Sequence, residues 1–477
     1  MSTKTGEPTA VEFLAQLRRG ELSSRELAER YLARIDEVDP ALNAVAHVDA
    51  EGTLAAADEA DRALAAGAPG ALLGLPISIK DSIAVRGMPC RSGSWARAEH
   101  VPEADATVVA RVRAEGAVVL CKTTTPEYTW STETDSALAG RTNNPYDFER
   151  TPGGSSGGEA ALHAVDASPL GIGSDGLCSI RVPAHFCGTV GLRPTVGLVP
   201  ETGVWPTTKD TGMLDMSTLG PMGRSVPDLA LLLRVIAGPD DVDPLVGASP
   251  IGDPRSVDPA TLRVAFYETD PEVPTTAGTR AAVRHAADAL SALGAEVEEV
   301  RPPPLGDCVD LAFAMMAADG GRRARRDLAP AGGRHVEQMT SLMEGLAPLA
   351  LTAEAFFDLV SRWRDRRSAL RRFVAAHDVV LCPVVAGPAP LHGRRPTDDG
   401  ELTDHAEYGY AFAYAIAGVP GAVIPAGMDH GLPVGVQVLA GAYRDHVALA
   451  AAGALEDALR DAVPPPPFAS APTRPPF

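Results

Sequence analysis

Between residues 140 and 200 the chain becomes rich in glycine, proline and other small residues without becoming repetitive, and this block narrows the available folds more than any other feature. It reads GRTNNPYDFERTPGGSSGGE and continues as EAALHAVDASPLGIGSDGLCSIRVPAHFCGTVGLRP. Clustered glycines reach backbone conformations closed to other residues and let a chain approach a ligand closely. On either side of the block, strand-like and helix-like segments alternate. LLGLPISIKDSI (72–83) is short, apolar and rich in β-branched residues, which predicts a buried strand. A helix over about 105–115 and the strand AVVLCK (117–122) follow. Strand patterns return at 262–268, 295–300, 378–385, 421–427 and 432–440, with helices over 226–238, 276–293 and 445–461. Near the N-terminus, Ser23 and Glu26 have capping-box spacing, and Leu27, Tyr31 and Ile35 recur at helical spacing.

This alternation predicts an α/β fold: a central mixed, mostly parallel sheet with helices on both faces. One domain is expected over 1–464, with a core at 72–200 and a helical elaboration at about 306–376. The proline-rich stretch 465–477 is expected to be an extended tail.

The charge balance is 42 basic against 62 acidic residues, a net charge of -20, which argues against a nucleic-acid partner. No run reaches the ~18 uninterrupted apolar residues of a membrane span, and the N-terminus lacks the pattern of a secretory signal. Cys90, Cys121, Cys178, Cys187, Cys308 and Cys382 match neither a zinc site nor a dense disulfide framework. They are expected to be reduced and buried, in a cytoplasmic protein.

Three features carry chemistry. Lys80 ends an apolar strand pattern; GGSSGG (153–158) holds Ser155 and Ser156; GSDGLCSIR (173–181) holds Ser179. Only four of the 42 basic residues are lysine, at 4, 80, 122 and 209. Codon bias explains most of that, yet lysine can lose its proton and arginine cannot. A serine hydroxyl needs a base to become a nucleophile, and a desolvated lysine can supply it. Taken singly, a buried lysine also suits a salt bridge, and GGSSGG also suits a flexible loop or a phosphate cradle. Order and spacing make the set specific.

TPGGSSGGEAAL followed by GIGSDGLCSIRVPAHFCGTVGLRPT resembles the defining block of the amidase signature family. The 75 residues from Lys80 to Ser155 and the 24 from Ser155 to Ser179 are similar to the fatty-acid amide hydrolase branch. The resemblance implies the amidase-signature fold and hydrolysis of a small amide, anilide or carbamate by a Ser-Ser-Lys triad. Ser179 matches the nucleophile, Ser155 the bridging serine that follows a cis peptide bond, and Lys80 the base. Backbone N–H groups of Gly176, Leu177, Cys178 and Ser179 match the oxyanion hole. Asp175 and Arg181 match a supporting polar pair, Ser156 a second serine within hydrogen-bonding range. Thr129 matches a ligand-contacting position, and Trp130 is expected either in a pocket wall or in the core. Tyr408, Tyr410, Phe412 and Tyr414 are expected chiefly in core packing. The implied chemistry needs no metal and no cofactor, and its partner is a small amide-type molecule. The family includes monomers and homodimers, so the oligomeric state stays open. Where the family usually reads Gly-Gly-Ser, this chain has Leu177-Cys178-Ser179, which adds bulk beside the acyl carbon.

Other readings stand beside this one. GGSSG fits the G-x-S-x-G elbow of α/β-hydrolases, but no apolar strand leads straight into it, and His377, His405 and His430 lie in ordinary contexts. An amidotransferase A-type subunit that needs a partner is a second alternative, and a fold member disabled by Leu177-Cys178 a third.

Overall fold

A computed structural model describes residues 6–207, 215–394 and 406–467. Its strands are β1 Val45–His47, β2 Pro76–Lys80, β3 Val118–Thr123, β4 Asp135–Ser136, β5 Gly140–Arg141, β6 Leu170–Asp175 and β7 Val190–Arg193. They continue as β8 Thr218–Gly223, β9 Arg263–Phe266, β10 Glu296–Glu299, β11 Val379–Pro383, β12 Gly421–Asp429 and β13 Leu432–Leu439. All except the β4–β5 ladder join one eleven-stranded sheet, in the order β1-β3-β2-β6-β8-β7-β12-β13-β11-β9-β10.

The expected mixed sheet is present, but its expected parallel bias is not. Among the described residues, four of its ten pairings are parallel: β2 with β3 and β6, and β9 with β10 and β11. The other six are antiparallel. Part of the difference lies in the connections. β12 and β13 are joined by His430 and Gly431, both at positive φ, and such a two-residue turn can link only antiparallel strands. β8 runs against both of its neighbours, β6 and β7.

Both faces of the sheet are covered. In β11, Val379 and Leu381 pack into one apolar cluster with residues of the helices Ala277–Ala292 and Asp445–Ala458. Val380 and Cys382 pack into another with residues of Gly306–Ala317, Ala353–Ala375 and Gly409–Ala417. Alternate strand side chains point to opposite faces, so helices lie on each side. The N-terminal capping box forms as expected: Ser23 Oγ accepts from Glu26 N at 3.1 Å, and Glu26 Oε2 accepts from Ser23 N at 2.8 Å. Such a cap is worth about 1 kcal/mol. It starts the helix Ser24–Leu42, whose Leu27, Tyr31 and Ile35 are buried.

The elaboration at 306–376 contains the helices Gly306–Ala317, Arg322–Leu328, Glu337–Leu346 and Ala353–Ala375. Beyond residue 467 the expected tail lies outside the described residues, as does His405. No helix of the described residues is long and apolar enough to cross a membrane.

Candidate active site

Lys80 is the last residue of β2, between β3 and β6 in the interior of the sheet, and it is fully buried. Its Nζ is surrounded by hydroxyls: Ser155 Oγ at 2.6 Å, Ser174 Oγ at 2.9 Å and Ser156 Oγ at 3.0 Å. Lys122, also buried, has a carboxylate oxygen of Asp81 at 3.6 Å. Lys80 forms no ion pair among the described residues. Burial pulls its ammonium down to about 7, against the opposing pull of Asp175, Glu159 and Cys178. A neutral amine offers two N–H donors and one lone pair, so three hydroxyls can satisfy it.

The two serines of GGSSGG sit where a loop meets the helix Gly157–Ala164. The Gly154–Ser155 peptide is cis, and Gly153 has φ +86°, a conformation that favours glycine. Ser156 is the residue just before the helix. Its N–H donates to Ser179 O at 3.2 Å, and its Oγ donates to Ser174 O at 3.2 Å. Ser156 thus joins the loop that carries Ser155 to the turn that carries Ser179. Ser174 is an addition to the expected set. It comes to Lys80 because β6 pairs beside β2, a neighbour relation with no local signal in the sequence.

After β6 the chain turns through 176–180 into the helix Arg181–Cys187. Asp175 and Arg181 are both fully buried, and Arg181 donates Nε to Oδ2 at 3.0 Å and Nη2 to Oδ1 at 3.1 Å. Arg193 Nε stands 3.3 Å from Oδ1. Burial works to raise the Asp175 carboxyl, but Arg181 and Arg193 more than offset it, leaving it below the usual carboxylate range. Arg181 also donates to Leu177 O at 2.6 Å, to Gln437 Oε1 at 2.6 Å and to Ala411 O at 2.8 Å. The N–H groups of Gly176, Leu177, Cys178 and Ser179 are taken up by no protein acceptor among the described residues.

Those four residues, with Ser155 and Ser174, line a cavity of about 710 Å³. Thr129 and Trp130 form part of its wall, as does Phe412. Trp130 also packs edge-on against Tyr128, at 5.0 Å between ring centres, so it belongs to both the wall and the packing behind it. Tyr128 and Thr129 have φ of 59° and 58°, the left-handed region that non-glycine residues avoid. The elaboration supplies Phe313, Met316 and Leu346 to the lining of the same cavity. Tyr408, Tyr410 and Tyr414 are core residues, as expected. Phe412, on the same helix as the last two, is buried in the core as well and also lines the cavity.

No strand runs into Ser155, and neither His377 nor His430 lines the cavity, so the elbow of an α/β-hydrolase is not formed here. His377 Nε2 is 3.0 Å from Glu298, and His430 is exposed in the β12–β13 turn. All six cysteines are free and buried. Burial pushes the Cys178 thiol well above its usual range, so it stays protonated at neutral pH.

Known proteins resemble this chain over most of its length. The sequence pattern of the family described as Amidase matches residues 26–449. The A subunit of the glutamyl-tRNA(Gln) amidotransferase of Roseiflexus sp. (strain RS-1) is 34% identical, over 91% of this chain and 92% of that protein. The indoleacetamide hydrolase of Bradyrhizobium diazoefficiens is 31% identical, over 94% of this chain and 86% of its own. The solved structure of 6-aminohexanoate cyclic dimer hydrolase with its substrate superposes with a TM-score of 0.84 at 29% identity, covering 96% of this chain and 98% of that one.

Proposed function

This chain belongs to the amidase family, and from that premise we propose that it hydrolyses an amide-type bond through an acyl-enzyme on Ser179. Lys80 is the base and Ser155 the relay. The observation that carries this reading is the Lys80 amine, buried 2.6 Å from Ser155 Oγ in a shell of hydroxyls.

Neutral Lys80 takes the Ser155 proton while Ser155 takes that of Ser179. The Ser179 oxygen attacks the substrate carbonyl carbon, and the resulting oxyanion accepts from the free N–H groups of 176–179. The C–N bond then breaks as the proton returns through Ser155 to the leaving nitrogen. Water, deprotonated along the same relay, attacks the acyl ester, and Ser179 regains its proton as the acid leaves. Ser156, Asp175 and Arg181 hold this arrangement in place. Thr129 and Trp130 form one side of the substrate pocket.

The substrate class is a small amide, anilide or carbamate, since each presents a carbonyl joined to nitrogen. The test is a panel of primary amides, anilides and carbamates, run beside Lys80→Ala, Ser155→Ala and Ser179→Ala. Turnover abolished in the Ser179 variant and strongly reduced in the other two supports the reading. Undiminished turnover after Ser179→Ala refutes it.

A second reading is an A-type amidotransferase subunit that works with a partner, and the 34% identity to such a protein favours it. Hydrolysis of a simple anilide by the isolated chain separates the two. Labelling by a serine-directed phosphonate, lost on Ser179→Ala, excludes a disabled fold member.

A further inference from the structure

Behind Lys80 the strand touches the same helix a second time. Ser78 stands two residues before Lys80 on β2, so the two side chains share one face of the strand. Glu159 stands three residues after Ser156, one turn into the helix Gly157–Ala164. Lys80 reaches Ser155 and Ser156, while Ser78 Oγ donates to Glu159 Oε2 at 2.6 Å. These contacts form two rungs between β2 and the start of one helix.

The second rung is also tied to β3. Thr123 Oγ1 of β3 donates to Glu159 Oε1 at 2.9 Å. His163 Nε2 lies 3.2 Å from Oε2, and His163 Nδ1 donates to Ser168 O at 3.0 Å. Ser78, Thr123, Glu159 and His163 are all buried. A Cβ at Gly171 would stand 2.1 Å from Glu159 Oε2 and 2.5 Å from Ser78 Oγ, so β6 needs glycine where this rung passes. A buried carboxylate is costly, and an apolar residue would pack a helix against a sheet more cheaply. The partners of this one tie the helix to β2 and β3.

We propose that Glu159 is a positioning residue for Lys80 and Ser155, holding the helix start at a fixed distance from β2 and keeping a carboxylate behind the lysine. The proposal rests on Lys80 being the base. The charged and titratable groups facing Lys80 are Asp175 on β6, Glu159 on the helix and the Cys178 thiol in the turn. Those facing Glu159 are Lys80, His163 on its own helix and Cys121 on β3. Asp175 and Glu159 both support the ammonium. Removing the Glu159 charge therefore leaves the ammonium less supported, and the amine loses its proton at lower pH.

The experiment measures the rate of covalent labelling by a fluorophosphonate across pH, for the unchanged chain, Glu159→Gln, Ser78→Ala and Ser179→Ala, with a melting curve for each. The expected result for Glu159→Gln is a plateau rate lower by about 10- to 100-fold, with the acid limb moved to lower pH. For Ser78→Ala, which keeps the carboxylate, the plateau falls and the limb moves less. Unchanged rate and limb in Glu159→Gln, with Ser179→Ala unlabelled, overturn the proposal and leave the mechanism standing. Labelling that survives Ser179→Ala, or an unlabelled unchanged chain, overturns the mechanism and the proposal with it. If Glu159→Gln shows no cooperative melt, Ser78→Ala decides: an unchanged plateau there overturns the proposal.

Discussion

The Arg181 guanidinium donates to the carbonyl of Leu177 at 2.6 Å while its other edge is held by Asp175. In a trans peptide the N–H points opposite to the carbonyl, so the buried cation turns the Cys178 N–H away from itself. The supporting pair and the donor turn are thus one mechanical unit. Arg181→Lys keeps the charge but loses the fork that reaches Asp175, Leu177, Gln437 and Ala411 together. The expected outcome is a fall in kcat of about 10²–10³, the loss typical of one oxyanion donor, with KM little changed. Stability should fall by about 1–3 kcal/mol, because buried acceptors lose their donors while the charge on Asp175 stays compensated. Steady-state kinetics and urea unfolding check both.

Lys80 carries a pH prediction of definite sign. Its amine is a base only when neutral, and burial brings the ammonium down to about 7. kcat/KM should therefore rise with pH through about 7 and level off above it. Lys80→Arg, which cannot lose its proton, should lose about 10²–10⁴ in kcat at every pH. The same shift bears on stability. The folded lysine titrates below the unfolded one, so the cost of burying the ammonium is full below about 7 and fades as pH rises towards the ordinary lysine value. Lys80→Met should therefore be more stable than the unchanged chain at pH 6, with the gap closing as pH rises. Thermal melts across pH measure it.

How much of the fold and site is legible in the sequence depends on how local each signal is. The Ser23–Glu26 cap needs only residues three apart, and it forms where expected. Lys80 and Ser155 are legible as a pair only through a resemblance, because nothing in 75 residues of spacing says that they touch. Ser174 carries no such mark, since it meets Lys80 only once β6 pairs beside β2. The β12–β13 turn has a local cause in His430-Gly431, but that cause says nothing of β8, which inserts between β6 and β7 from elsewhere in the chain. Phe412 shares its helix with core tyrosines, and the spacing of apolar residues cannot tell which side chain meets empty space.

Tyr128 holds a strained part of the cavity wall. Its hydroxyl donates to Asp327 at 2.9 Å, and its ring stands edge-on to both Trp130 and Trp205. Two consecutive left-handed residues cost about 1–3 kcal/mol each and persist only where their surroundings hold them. Tyr128→Phe keeps the ring contacts and cuts the link to Asp327 on the elaboration. A stability loss of about 1–3 kcal/mol is expected, because the Asp327 carboxylate loses a partner. KM should rise more than kcat falls, since the wall moves and the hydroxyls around Lys80 do not. Unchanged KM with an unchanged melt would show that the link holds nothing.

Leu177 lines the cavity beside Ser179, and its position has a measurable consequence. Its carbonyl is fixed by Arg181, so its backbone cannot swing aside to admit a larger group. Its side chain lines the cavity and packs in the cluster that contains Phe313. Leu177 is half-buried, so removing its side chain costs less than the ~2–5 kcal/mol of a fully buried leucine, and a ligand's apolar group can fill the space. Leu177→Gly should therefore lower kcat/KM for acetyl-sized substrates and raise it for branched or aromatic acyl groups, an inversion of about tenfold or more between the two, the worth of one or two methylenes in an apolar pocket. A series of anilides with a constant leaving group and a growing acyl chain measures it. Equal effects across the series would mean that Leu177 supports the turn without shaping the acyl pocket.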